Sequence, residues 1–320
     1  MPHIKFFSLP VSEQVGSNPT ALVAFSGGLL VSDETYGDDA NSSVWSTTLA
    51  GDGQCQADAG GRACCHLALH PSGSLSLTLS ISLSLSLSLS LSLSRARALP
   101  SPPSLTACVC VCVCVCVCVC AGGLVAAANY LGEAPAIDPD NKGTLSIFRV
   151  SGEGVGERTA HVAHSTAYPG ANVGRQEAAH IHSTAWAPMD ADGKTALLVC
   201  DLGSDKIWQY VVDDSSGAAE PNPAADSVGA HAAGAGPRHI SMHPSGKYAY
   251  IICEMGSTVQ GHTYDAATGT LSADPICAIS TITPGDEKAG DDSVRAHMQL
   301  NQFQSRGFIS PAALARLLPL

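Results

Sequence analysis

Residues Gly234–Leu271 read GAGPRHISMHPSGKYAYIICEMGSTVQGHTYDAATGTL, and their pattern decides the fold. Ile240–His243 is a short apolar run, and Pro244-Ser245-Gly246-Lys247 is a turn, with Pro presetting φ and Gly accepting a positive one. Tyr248–Cys253 is aromatic and β-branched, as a strand should be. Gly256-Ser257 turns the chain again, Thr258–Tyr264 alternates like a half-buried strand, and Asp265–Gly269 is a last turn. A sheet this small cannot cover its own two faces, so the unit is expected to recur.

It does. His66-Leu-Ala-Leu-His70-Pro-Ser-Gly73 repeats His239-Ile-Ser-Met-His243-Pro-Ser-Gly246 almost letter for letter. A third copy begins at His182-Ser-Thr-Ala-Trp-Ala-Pro188 and continues through Asp192-Gly193-Lys194, Ala196–Asp201 and Lys206–Tyr210. A weaker copy runs from Asn18 through Asp33-Glu34 to Val44-Trp45. From His182 to His239 the interval is 57 residues, against ~40–50 for four-stranded propeller blades, and a loop over Asp213–Gly236 absorbs the excess. Short strands at turn-punctuated spacing, with no helical period, predict an all-β propeller of four-stranded antiparallel blades.

In order, the chain gives a lead over 1–17, blades over 18–62 and 63 to about 150, and a polar loop at Ser151–Ala178 carrying His161 and His164. Further blades follow at about 179–213 and 236–273. Ile276–Asn301 is expected to start a fifth, with Ala296–Leu300 as its first strand. As domains, this divides into first blades at 1–73, an insert at 74–121, later blades at 122–301 and a non-propeller tail at 302–320. Four to five blades are expected to make an incomplete version of a larger ring.

The insert is compositionally foreign. Ser74–Ser94 is nearly pure Ser-Leu, Arg95–Ala98 is Arg-Ala, and Cys108–Cys120 alternates Cys with Val. Each is what a dinucleotide DNA repeat encodes, and excising all three joins His66–Gly73 to Leu124–Tyr130 as one blade. Ala107–Ala128 is 22 residues without a charge, long enough to span a bilayer, but its period of two is that of a strand. Seven of the 13 cysteines lie in this tract. The other six (Cys55, Cys64, Cys65, Cys200, Cys253, Cys277) show no metal-binding spacing, and free thiols are expected.

A net charge of −12 and a pI near 5.3 argue against a nucleic-acid partner. The opening Met1-Pro-His-Ile-Lys-Phe-Phe has too short an apolar run for a signal peptide, so a cytoplasmic location without a membrane partner is expected. Aromatics are only 5%, which disfavours an interaction platform, since such surfaces lean on aromatic hot spots.

The sequence resembles the lactonase family of seven-bladed propellers, which includes bacterial-type 6-phosphogluconolactonases and fungal carboxy-cis,cis-muconate cyclase. The residues that carry the resemblance are Ala179-His180-Ile-His182-Ser183, Asp201–Ile207, Gly236-Pro-Arg238-His239, His243–Tyr250 with Glu254, and Ile279–Ile282. The family implies a His, an Arg and a Glu in the site, which map onto the His180/His182 pair, Arg238 and Glu254, with a further Arg from later blades. Metal-dependent lactonases belong to a different propeller family, so neither metal nor cofactor is expected.

The residues themselves allow that chemistry. Asp33, Asn129, Asp201 and Glu254 close successive second strands, and equivalent blade positions face one channel. A small anionic lactone or dicarboxylate needs a fork-shaped cation, which Arg238 supplies, with Asp201 beside it as a second binding residue. His180, His182 or Glu254 would transfer the proton. A sugar lactone such as 6-phosphogluconolactone is the expected substrate. A lactonising cyclase, a non-catalytic propeller and an inactive product are the alternatives.

Overall fold

The structure is a computed structural model that describes residues 19–25, 28–36, 40–47, 54–71, 123–133, 143–164, 170–225, 228–229 and 232–281. All regular structure among them is antiparallel strand. The first sheet holds β1 (Pro19–Phe25), β2 (Gly28–Asp33), β3 (Ser43–Thr47) and β4 (Gln54–Asp58). The second holds β5 (Arg62–Leu69), β6 (Gly123–Leu131), β7 (Thr144–Ser151) and β8 (Gly154–Ala163). β9 (Ile181–Ala187), β10 (Lys194–Asp201), β11 (Lys206–Asp213) and β12 (Ala219–Pro221) make the third, and β13 (Val228–Gly229) also pairs β11. The fourth holds β14 (Pro237–Met242), β15 (Tyr248–Cys253), β16 (Thr258–Asp265) and β17 (Thr270–Leu271), and β18 (Cys277–Ser280) also pairs β16. Within each sheet the strands follow in sequence order, and the first strands β1, β5, β9 and β14 pack against one another in series. Four propeller blades therefore stand around one axis, as the repeats predict.

The apolar runs are continuous because both faces of the inner blades are buried. In β6, Val125 and Ala127 pack with Phe25, Leu30 and Val44 of the first blade. The intervening Leu124, Ala126 and Ala128 pack with Ile181, Leu197 and Val199 of the third. The same alternation divides β10, where Leu198 and Cys200 turn toward Ile240, Ile251 and Tyr264 of the fourth blade. Polar groups stitch the blades as well. The Trp186 Nε1–H donates to the Ala68 carbonyl at 2.9 Å, and the Tyr264 hydroxyl donates to that of Pro188 at 2.7 Å. His70, just after β5, lies against Trp186 and 2.8 Å from the Thr195 hydroxyl, an interblade role.

Three expectations are corrected. The presumed polar loop at 151–178 contains β8, the outer strand of the second blade. His161 lies on that strand. His164 just after it is 3% exposed, its Nε2 2.7 Å from the Tyr210 hydroxyl. Ile276–Ser280 does not open a fifth blade, because β18 completes the fourth by pairing β16, as β13 completes the third by pairing β11. The long Asp213–Gly236 connection likewise carries the split outer strand β12/β13. The insert at 74–121, Ala296–Leu300 and the tail at 302–320 lie outside the described residues.

Burial holds the His164 imidazole well down, to about 4. The folded state therefore stays unprotonated at pH values where an unfolded histidine, with its ordinary value near 6.5, takes up a proton. Stability from this group is complete above about pH 6.5 and is lost as pH falls toward about 4, on the order of 2 kcal/mol by pH 5. Urea unfolding should give a smaller loss between pH 7 and pH 5 for His164→Gln than for the unmodified protein. Equal losses would mean that the fold accommodates a charged His164.

Candidate active site

Strand register builds the site. In each blade the pairing of first and second strand slips once near the axis, so that one residue has no partner in the ladder. Pro237 pairs with Cys253 and His239 with Ile252, leaving Arg238. Ile181 pairs with Asp201 and Ser183 with Cys200, leaving His182. Cys64 pairs with Asn129 and His66 with Ala128, leaving Cys65. The first blade slips at the same place, at Thr20. A β-bulge of this kind re-aims the extra side chain. Repeated around an axis, it brings Cys65, His182 and Arg238 together from three blades: Cys65 Sγ lies 4.0 Å from His182 Nδ1, and Arg238 is the largest charge acting on His182.

The register also corrects the repeat. Asp33, Asn129 and Asp201 correspond to Cys253, not to Glu254. Glu254 is one residue further on, matching Glu34, Tyr130 and Leu202. His182 likewise corresponds to Arg238 and not to His239.

Asp201 is fully buried. Its Oδ1 accepts the backbone N–H of His180 at 2.8 Å and of Ser204 at 3.1 Å, and its Oδ2 accepts the Trp208 indole N–H at 3.0 Å. These three donors occupy it behind the site, where it anchors the strand that presents His182. Asp205 does the same for the next blade. Its carboxylate accepts the N–H groups of Gly234 (2.6 Å) and Gly236 (2.7 Å), fixing the corner from which Pro237-Arg238 departs. Gly236 has φ +62° there, and a Cβ would come within 2.7 Å of the Met255 side chain. The Gly236 carbonyl accepts the Glu254 N–H at 2.8 Å, which ties Glu254 to the same corner.

Glu254, with a side chain 8% exposed, lies between two arginines. Arg238 Nε is 2.7 Å from Oε2, an ion pair without a well-aligned hydrogen bond. Arg175 Nη2 donates to Oε1 at 2.9 Å. Arg175 comes from the strap between the second and third blades, where Tyr130 and Glu254 are its electrostatic neighbours. No repeat or spacing singled it out.

The two histidines separate by environment. The His180 ring stacks on Tyr130 at 4.1 Å between centroids. Its Nδ1 is 2.9 Å from the Tyr130 carbonyl and its Nε2 3.0 Å from Glu177 Oε1, so both ring nitrogens face acceptors. The His182 ring sits between Tyr130 (5.9 Å, edge-on) and His239 (5.1 Å). Burial first, then the charge of Arg238, holds its imidazole well below the ordinary histidine value, which leaves it neutral at pH 7. Burial and the nearby Glu34 push the Cys65 thiol up to about 12, and its S–H is directed at main-chain carbonyls, the His182 carbonyl at 3.3 Å among them. It is therefore no nucleophile at neutral pH. No cluster of metal-ligand type occurs among the described residues, and no described helix is long and apolar enough to cross a membrane.

A family model described as lactonase, 7-bladed beta-propeller, matches residues 111–301. The 6-phosphogluconolactonase of Bacillus subtilis (strain 168) is 30% identical over 132 residues, 40% of this chain and 34% of its own length. A Lactococcus lactis subsp. cremoris protein described as uncharacterized is 30% identical over 159 residues, 50% of this chain and 39% of its own length. The chain thus spans well under half the length of these relatives. Among solved structures, a putative 6-phosphogluconolactonase from Bacteroides fragilis matches with a TM-score of 0.55 at 19% identity, over 86% of this chain and 60% of its own. A periplasmic gluconolactonase of Pseudomonas aeruginosa matches with a TM-score of 0.53 at 17% identity, over 84% and 59%. At these identities the likeness is one of fold.

Removing the Asp201 carboxylate should release the His180 and Ser204 amides and the Trp208 indole together. Asp201→Ala is expected to destabilise the protein by about 3 kcal/mol, in the range for a buried charged acceptor with several donors. Denaturant unfolding measures this, and a change below about 0.5 kcal/mol, the scale of an ordinary surface substitution, would contradict the anchoring role.

Proposed function

Starting from a chain that belongs to the lactonase family of seven-bladed β-propellers, we propose that it hydrolyses a small anionic sugar lactone of the 6-phosphogluconolactone type. The observation that carries this reading is a neutral, buried imidazole, His182, beside a guanidinium, Arg238, that Glu254 holds in place. Relatives described as 6-phosphogluconolactonases support the substrate class.

In this mechanism Arg238 takes the anionic end of the substrate as a fork. The lone pair of His182 accepts a proton from water as the water oxygen attacks the lactone carbonyl carbon, and the carbonyl π electrons move onto oxygen. When the tetrahedral intermediate collapses, the ring C–O bond breaks, and the departing alkoxide takes the proton from His182. The product is the open-chain acid, and the imidazole returns neutral. Glu254 serves as the spacer between guanidiniums rather than the proton carrier, because a positive group sits at each of its oxygens. His180, with both nitrogens engaged, supports Tyr130 and the strap.

His182→Gln should lower kcat by roughly 10²–10⁴-fold with KM little changed, the loss expected of a proton-transfer group. Arg238→Ala should chiefly raise KM. Because the His182 imidazole is held below its ordinary value, kcat/KM should stay flat through neutrality and fall only below the usual histidine range. Lactone hydrolysis followed at neutral pH tests this. His182→Gln with full activity would remove the assignment, and turnover of a carboxymuconate-type dicarboxylate in place of lactones would redirect it to a cyclase.

A further inference from the structure

Arg175 has no place in the hydrolytic steps above, yet it is tightly positioned. Its strap is internally bonded: the Gln176 N–H donates to the Asn172 carbonyl at 2.7 Å, and the Gly170 N–H to the Gln176 carbonyl at 2.9 Å. Gln176 is fully buried, and its side chain donates to the Leu202 carbonyl at 3.0 Å, which staples the strap to the third blade. The Asn172 amide reaches the Met255 sulfur of the fourth blade at 3.6 Å. From this platform Arg175 meets Glu254 from the side opposite Arg238, one arginine at each carboxylate oxygen. Side-chain exposure is 8% for Glu254, 21% for Arg238 and 36% for Arg175. The carboxylate is thus the least exposed of the three, with one guanidinium at each of its oxygens, and Arg238 Nη1 also lies 3.1 Å from His239 Nε2 on the inner side. Neighbouring carboxylates are engaged elsewhere, Glu177 with His180 and Glu34 with the Tyr36 hydroxyl.

We propose that Arg175 and Arg238 form a two-guanidinium clamp for a phosphate dianion, with Arg175 selecting phosphorylated over unphosphorylated sugar lactones; this deepens, and rests on, the lactonase reading. A phosphate carries close to two charges and three acceptor oxygens, so it can engage two forks at once, whereas a neutral hydroxyl in its place cannot. Glu254 keeps the forks at a fixed separation without a ligand, so little ordering is needed when the dianion binds.

The test compares phosphorylated and unphosphorylated gluconolactone on the full chain. Arg175→Ala and Arg175→Lys should raise KM for the phosphorylated lactone by ~10–100-fold, the scale of losing a charge-assisted hydrogen bond. kcat, and kcat/KM for the unphosphorylated lactone, should stay within about twofold. A merely structural role for Arg175 would depress both substrates alike, and that result, or no change with either, overturns the clamp. Calorimetric titration with phosphogluconate, gluconate and inorganic phosphate decides the matter independently of turnover. Binding of phosphogluconate but not gluconate, lost in Arg175→Ala, supports the clamp even if no lactone is hydrolysed, which would refute the activity alone. Equal binding by the variant overturns it.

Discussion

A four-stranded sheet of short strands has two apolar faces and cannot cover either by itself. The rest of this molecule follows from that constraint. Each blade lends one face to each neighbour, as the odd and even residues of β6 and β10 do, so the strands must be apolar on both sides. Once blades pack in series, the first strand of every blade lies nearest the axis, and side chains leaving those strands axially converge. Convergence is thus a product of packing, before any chemistry is chosen.

Packing alone would leave these inner strands as ordinary ladders. The slip opposite the end of each second strand supplies the departure, and Asp201 and Asp205 keep the surrounding backbone in place by accepting four main-chain N–H groups between them. The Asp-Leu-Gly-Ser-Asp stretch is therefore structural support for two blades at once. Low dielectric then acts on what the bulges deliver. The same burial that raises the Cys65 thiol lowers the His182 imidazole, leaving both neutral between charged neighbours.

The fold was legible in the sequence because its signals are local and repeated. His-Pro-Ser-Gly turns and β-branched runs mark the inner strands wherever they occur. The outer strands were not legible. Gly154–Ala163 is half polar and exposed along one edge, so no burial imprints a period on it, and β12, β13 and β17 are too short to carry one. In the site, Arg238, Glu254 and the His-x-His pair were visible as residue types. Their division of labour was not, since a bulge shifts register by one without changing composition. That single step separates Glu254 from Asp201, and His182 from His180, which simple alternation assigns to the same side. Arg175 carried no signal, because its place depends on a strap crossing to another blade.

The bulge positions have a consequence for what such sheets can carry. Cys65, His182 and Arg238 occupy one backbone setting in three blades, yet one is a thiol, one an imidazole and one a guanidinium. A residue outside the hydrogen-bonded ladder can be exchanged with little effect on the sheet that carries it. The ring of bulges is therefore a set of equivalent sockets on one repeated framework, each able to carry a different chemical group without altering the ladder beside it.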